Sequence, residues 1–253
     1  NDPDYRTYKK AKKILKRAKK LKNKEIKFKD FYKSYILNKV NEFPLVDAKM
    51  AVSKDYFTIN KKSKWITNVR SRQVAHLIRS KYDCIVSTSN SINKDNSLLN
   101  CRIDGLNNYK PDLIIIDRKL KLKKKLKLYN FTNKRRTYIF TTSNDNKKLS
   151  FLKKKKIKVI KIDKLENNND FKNLFKQIFK IGKGRVLVEA GLVFLKELFK
   201  FKIINDLYLF KSNIILKNKG FNNTSINFLR KLKLIKSINV NLIDDKLYKI
   251  RIK

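Results

Sequence analysis

The sequence predicts an α/β layer fold. Short β-branched runs alternate along the chain with apolar stripes at helical spacing, the sequence form of a sheet covered by helices. The clearest unit is Phe171, Leu174, Phe175, Ile178 and Phe179 on one helical face, ended by Gly182 and Gly184 before the apolar run Arg185–Val188. A length of 253 residues with 42% apolar composition is enough for a buried core in one large or two small domains.

Taken in order, residues 8–22 read as a very basic helix with Ala11, Ile14, Leu15 and Ala18 on a thin stripe. Phe28, Phe31, Tyr32, Tyr35 and Ile36 form a second short stripe, and Pro44 marks a domain boundary near Phe43. Leu45–Val52 reads as the first strand. A helix follows over residues 67–80, capped by Thr67 or Asn68, with Val69, Val74, Leu77 and Ile78 facing inward. Residues 84–87, 113–116, 137–140 and 158–162 are strands. Residues 119–127 fit either an edge strand or a loop. Asp170 caps the Phe171–Phe179 helix, and Gly191 separates Arg185–Val188 from a helix over residues 192–199. Residues 206–210 and a terminal pair, around Val240 and over 247–252, complete the strands, with Asp244 and Asp245 at the last turn.

Charge constrains partners more than fold. Sixty-five basic and 21 acidic side chains leave a formal +44, which repels itself in a compact state and attracts polyanions. The lysines run from end to end instead of forming one patch, which fits a general bias toward Lys, Asn and Ile more than a specific nucleic-acid surface. Cys84 and Cys101 are too few for a disulfide framework and lack zinc-site spacing, and with no signal peptide a reducing cytoplasm is expected. No apolar stretch approaches membrane-spanning length. There is neither a GxGxxG fingerprint nor a P-loop, so a nucleotide site has to be built another way.

One way is the turn Glu189-Ala190-Gly191, which follows a strand and opens a helix, so that ligand phosphate can approach free amides while Glu189 holds an amine or amide donor. Arg79 and Arg102 each follow an apolar segment, and a guanidinium fork grips phosphate. Trp65, the one tryptophan, lies in Ser63-Lys64-Trp65-Ile66-Thr67, and the loop over residues 93–102 carries Asp95 and Asn96. His76, the one histidine, has no Cys or Ser partner that would make it a catalytic base, and reads as structural.

Together these segments resemble the reductase domain of the bacterial bifunctional riboflavin-biosynthesis deaminase-reductases, in order and spacing across almost all of residues 45–253. The resemblance implies a dihydrofolate-reductase-like three-layer fold: a mostly parallel central sheet, helices on both faces and antiparallel C-terminal strands. It implies NADPH-dependent reduction of 5-amino-6-(5-phosphoribosylamino)uracil to its ribityl counterpart. The run Lys49-Met50-Ala51-Val52-Ser53-Lys54-Asp55 matches the family's first strand, but Tyr56 stands where the family has glycine, so the turn there differs or is strained. Ser63, Arg79, Leu99, Arg102 and Glu189 are implied substrate contacts. Ala51, Trp65, Ser91, Asp95 and Arg118 are implied cofactor contacts, Arg118 toward the extra phosphate of NADP. Val188-Glu189-Ala190-Gly191 is the closest local match, and it sets Gly191, Leu192, Val193, Phe194, Leu195, Lys196 and Glu197 against the cofactor pyrophosphate.

Residues 1–43 resemble the tail of the partner deaminase domain and its linker. The histidine, glutamate and paired cysteines of that domain's catalytic zinc are absent from this sequence, so neither zinc nor deamination is expected of it. A homodimer is implied; membrane association and specific nucleic-acid binding are not. A basic nucleic-acid-binding protein, or a reductase of another heterocycle, are the alternative readings.

Overall fold

The computed structural model describes residues 32–106 and 111–253. The basic helix expected over residues 8–22, and Phe28 and Phe31, lie outside the described residues. The remainder of the second stripe leads into α1 (Lys33–Asn41), which buries none of its residues. In chain order there follow β1 (Leu45–Val52), β2 (Ile59–Asn60), α2 (Val69–Arg79), β3 (Cys84–Thr88), α3 (Ser89–Asp95), β4 (Asp112–Ile116) and β5 (Thr137–Thr141). Then come α4 (Asn146–Lys154), β6 (Lys158–Lys161), α5 (Asn168–Lys180), β7 (Arg185–Val188), α6 (Leu192–Lys200), β8 (Asp206–Lys211), β9 (Gly220–Phe221), α7 (Asn227–Arg230) and β10 (Lys246–Arg251).

Eight strands form one sheet in the order β10-β8-β1-β7-β3-β4-β5-β6, parallel throughout except for β10, which runs antiparallel to β8. Period-two alternation divides its apolar residues between two cores. Val46, Ala48, Val86, Ile114, Phe140 and Val188 pack under α5 and α6, whose Phe171, Phe175, Ile178, Leu195 and Leu198 close that side. On the opposite face Ile85, Leu113, Ile115, Ile139 and Leu187 meet Ala75 and Ile78 of α2, Ile92 of α3 and Leu152 of α4. This is the dihydrofolate-reductase-like three-layer arrangement, with helices on both faces and an antiparallel strand at the C-terminal edge.

Several elements differ from expectation. Asp170 is the third residue of α5 and not its cap: Asn167 caps the helix, accepting from the Asn169 and Asp170 amides, while the Asp170 carboxylate accepts from the Asn167 amide at 3.2 Å. The capping signal was present and displaced by one turn. The C-terminal strand pair is a single strand. Around Val240 the chain makes one backbone bond to β10, from the Ile238 amide to the Leu247 carbonyl (2.7 Å), because the following turn is spent on the start of α2. There Asn68 Nδ2 donates to the Leu242 carbonyl at 2.7 Å, and Asp245 accepts from the Asn68 amide and the Ser71 hydroxyl. Residues 119–127 are a loop. The Asp117 carboxylate accepts from the Lys121 and Leu122 amides, both at 2.8 Å, and from the Ser89 hydroxyl at 2.9 Å, so side chains satisfy backbone groups that a strand would pair in a ladder. Helices α3 and α4 were not foreseen; Thr88 and Asp145 cap them.

The turn after β1 is strained as the replacement of glycine suggested: Tyr56 has φ +67°. The loop it belongs to is fastened to residues 214–222. Asp55 accepts from the Leu216 and Lys217 amides, the Lys54 amide donates to the Ile214 carbonyl, and Asn222 bonds both the Thr58 amide and the Tyr56 carbonyl. β2 pairs with β9 beside them, where Gly220 lies so close under Phe57 that a methyl group there would collide with the ring.

Candidate active site

The site is built where β7 ends. Val188 is in register with Ala48 of β1, so the next residue, Glu189, stands beside Lys49, and the two approach to 3.7 Å. Arg79, the last residue of α2, closes on the same carboxylate with both arms of its fork, Nε to Oε1 at 2.5 Å and Nη2 to Oε2 at 2.9 Å. All three side chains are largely buried, Glu189 only 8% exposed. Burial alone would raise the Glu189 carboxyl, but Arg79 and Lys49 outweigh it and hold the group down at about 2. Burial, with Arg79 nearby, pulls the Lys49 ammonium below its usual range although Glu189 opposes this.

A second layer rests on His76, one turn before Arg79 on the same helix face. Its Nδ1 lies 2.8 Å from the Asn100 carbonyl, and its Nε2 lies 3.3 Å from Nη2 of Arg102. A neutral ring protonated at Nδ1 donates to the Asn100 carbonyl and accepts from Arg102 Nη2 at Nε2, whereas the Arg102 amide, 3.2 Å from Nδ1, is accepted only by the other tautomer. Burial, then Arg79 and Arg102, lower its pKa to about 4. Arg102 also donates to Oδ1 of Asn100 at 3.0 Å and meets no carboxylate among the described residues. Lys49 and Arg79 thus share one carboxylate, and Arg102 stands near Arg79 with none of its own.

The Leu99–Arg102 loop takes its shape from a residue the sequence did not point to. Arg135, 7% exposed, donates through Nη1 to the Leu99 carbonyl at 2.8 Å and through Nη2 to the Leu98 carbonyl. Leu99 itself is buried with φ +50°. No local pattern could reveal Arg135, since its partners lie 24, 36 and 37 residues away. His76 and Lys49 had a weak signal, one turn from Arg79 and within the first strand.

Several expected cofactor positions gather two residues beyond Glu189. The Gly191 amide donates to Ser91 Oγ at 3.0 Å, and Ser91 Oγ lies 3.1 Å from Thr88 Oγ1. Gly191 begins α6 with no capping side chain, so the first-turn amides are available to an anion. Farther along, the segment has other duties: Leu192 and Leu195 are buried, Phe194 packs on Phe171, and Glu197 lies 3.9 Å from Lys200. Lys64 donates to the Asp95 carbonyl at 2.9 Å, which joins the Ser63–Trp65 loop to the end of α3.

The remaining expected residues share no hydrogen bond or ion pair with the Glu189 cluster among the described residues. Ser63 is exposed and accepts from the Trp65 amide. The Trp65 ring, half exposed, lies under Arg72 at 4.6 Å, at the opposite end of α2 from Arg79. Ala51 is half-buried in β1 beside Phe210. Arg118 is exposed just beyond β4, its carbonyl bonded by Thr141 and Thr142. Among the described residues no three His, Cys, Asp or Glu side chains gather as a metal site, and both cysteines are free and buried.

Residues 44–238 match the RibD C-terminal domain. The chain belongs to that family. A riboflavin biosynthesis protein RibD of Aquifex aeolicus is 30% identical over 181 residues, covering 69% of this chain and 48% of the relative. The chain spans about half the length of the curated relatives it matches. Among solved structures, a Thermotoga maritima diaminohydroxyphosphoribosylaminopyrimidine deaminase/5-amino-6-(5-phosphoribosylamino)uracil reductase superposes with TM-score 0.68 at 21% identity, over 90% of this chain and 62% of the other. The Saccharomyces cerevisiae riboflavin biosynthesis reductase Rib7 gives 0.66 at 20% identity, over 88% and 98%. These two likenesses are of fold. Within this RibD C-terminal domain, the Glu189 cluster gathers basic side chains about one carboxylate and the start of α6 has no capping side chain.

Proposed function

We propose that this chain uses NADPH to reduce the ribosyl group of 5-amino-6-(5-phosphoribosylamino)uracil to a ribityl group. Family membership supports the reaction class, and the observation that carries the reading is the cluster of Lys49, Arg79 and Arg102 about one buried carboxylate, suited to a phosphorylated substrate with polar donors. The fork of Arg79 is taken by Glu189 and Asn100, so the substrate phosphate falls to Arg102. Arg79 and Lys49 keep Glu189 ionised and aimed, and the carboxylate receives donors of the pyrimidine or ribosylamine. Ser63 and Leu99 complete the substrate side.

Ala51, Trp65, Ser91, Asp95, Arg118 and the first turn of α6 would hold NADPH, which would supply the hydride. The open-chain ribosylamine presents an imine-like carbon as acceptor, so the protein's contribution is alignment and electrostatics. On the same resemblance, residues 44–253 are the reductase, residues 1–43 are the end of a deaminase portion, and the enzyme works as a cytoplasmic homodimer.

The test is loss of NADPH absorbance with the phosphoribosylaminouracil substrate. Arg102→Gln should raise KM by roughly tenfold or more, the value of a hydrogen bond to a charged group, with kcat and melting temperature little changed because Arg102 is exposed. Failure of the unaltered protein to oxidise NADPH in response to this substrate would overturn the reading.

A further inference from the structure

We infer that the protein carries a second anion site, for a small phosphate-bearing molecule, on the edge of the sheet opposite the Glu189 cluster. A cavity of about 390 Å³ opens at the amino-terminal ends of β4, β5 and β6, which begin at Asp112, Thr137 and Lys158. Glu189, Ser91 and Gly191 follow the carboxyl ends of β7 and β3, so the two sites are at opposite ends of parallel strands.

Five of the nine residues lining this cavity are Lys or Arg, four of them exposed and the fifth, Arg135, buried. A second cavity, of about 370 Å³ beside Trp65, is also lined by nine residues; none is basic, and two are Asp244 and Asp245.

The cations of the first cavity are uncompensated. Lys134, Arg136, Lys156 and Lys158 meet no carboxylate within ion-pair distance among the described residues. The one acidic lining residue, Asp112, is already paired with Lys183 at 2.5 Å and accepts from the Arg136 amide. Arg135 forms part of the wall, 93% removed from solvent, and its Nε is buried without a hydrogen-bond partner. A buried guanidinium N–H left open is a donor in want of an acceptor. Several cations within reach of one another repel at the short distances of a cavity wall, and a multiply charged oxyanion relieves this through charge-assisted hydrogen bonds. The volume suits a pyrophosphate-bearing small molecule, whereas a nucleic acid would need the cations to continue as a groove.

The probe is pyrophosphate, titrated calorimetrically into the full chain at low salt. Because the Glu189 cluster attracts phosphate and the first turn of α6 is the proposed seat of the cofactor pyrophosphate, the titration is repeated in Arg102→Gln with excess NADP present, which should keep one saturable site. Replacing Lys134, Arg136, Lys156 and Lys158 together by Gln in that background should weaken binding at least about tenfold. Replacing Lys172, Lys176, Lys180 and Lys236 by Gln removes the same charge from other exposed positions and should change it less than about threefold, within general electrostatic screening. Both sets are exposed, and melting curves confirm folding. Equal loss in the two sets, abolition of all binding by Arg102→Gln alone, or cavity-dependent binding of single-stranded RNA without pyrophosphate binding would each overturn the inference. None of these readouts depends on reductase activity.

Discussion

His76 shows how one residue records the electrostatics of the site. Taking the ring out of water disfavours its charged form, and Arg79 and Arg102 add repulsion, so the folded protein keeps it neutral down to about pH 4 from an ordinary 6.5. The unfolded chain binds a proton that the folded one refuses. The stability this gives is fully present above pH 6.5 and is lost as pH falls from there toward 4. As the chain has one histidine, its imidazole C2 proton is a single resolvable NMR signal: it should titrate near 4 in the folded protein and near 6.5 in urea, and His76→Gln should flatten the stability profile in that window. A folded-state midpoint near 6.5 would remove His76 as a neutral acceptor for Arg102. Tyr56 records a different tension. A bulky residue at φ +67° costs about 1–2 kcal/mol, offset here by Lys211 4.3 Å over the ring.

At the scale of elements, side-chain carboxylates and amides organise what strands do not. Asp117 ties the loop after β4 to Ser89 of α3, while Asn93 bonds Lys121 and Lys123 and Asn96 bonds Lys127. Asp117→Ala should destabilise the fold by about 2–4 kcal/mol, since it leaves two loop amides and a buried hydroxyl without an acceptor, and hydrogen exchange at Lys121 and Leu122 should accelerate well beyond the rest of the sheet. Unchanged exchange there would show the loop to be held by other contacts. The same case explains what the sequence could tell. Strands such as Ile114–Ile116 and Val186–Val188 were legible because apolar runs signal burial directly. Residues 119–127 were not, because their bonding groups belong to Asp117, Asn93 and Asn96, whose polarity looks the same on any surface. Glu189 was legible from its place after a strand and the Gly191 that follows. Arg135, in a chain full of cations, was indistinguishable from a solvated side chain.

For the molecule as a whole, +44 on 253 residues is a standing strain on the folded state. Buried pairs such as Arg79–Glu189 are shielded from salt, but most lysines are exposed and repel through water. Raising NaCl from about 0.1 M to about 1 M shortens the Debye length from about 10 Å to about 3 Å, so the melting temperature should rise by several degrees across that range. A fall would mean that exposed ion pairs, and not repulsion, dominate the surface.

The fastening of residues 53–61 to residues 214–222 has a mechanical outcome. With Asp55 gripping one stretch, Asn222 gripping the other, and no room above Gly220 for even a methyl group, the two stretches are fastened into a single plate. The loop leaving Ala51 therefore cannot make way for an incoming ligand by itself; whatever passes there must also shift a piece of chain encoded far downstream.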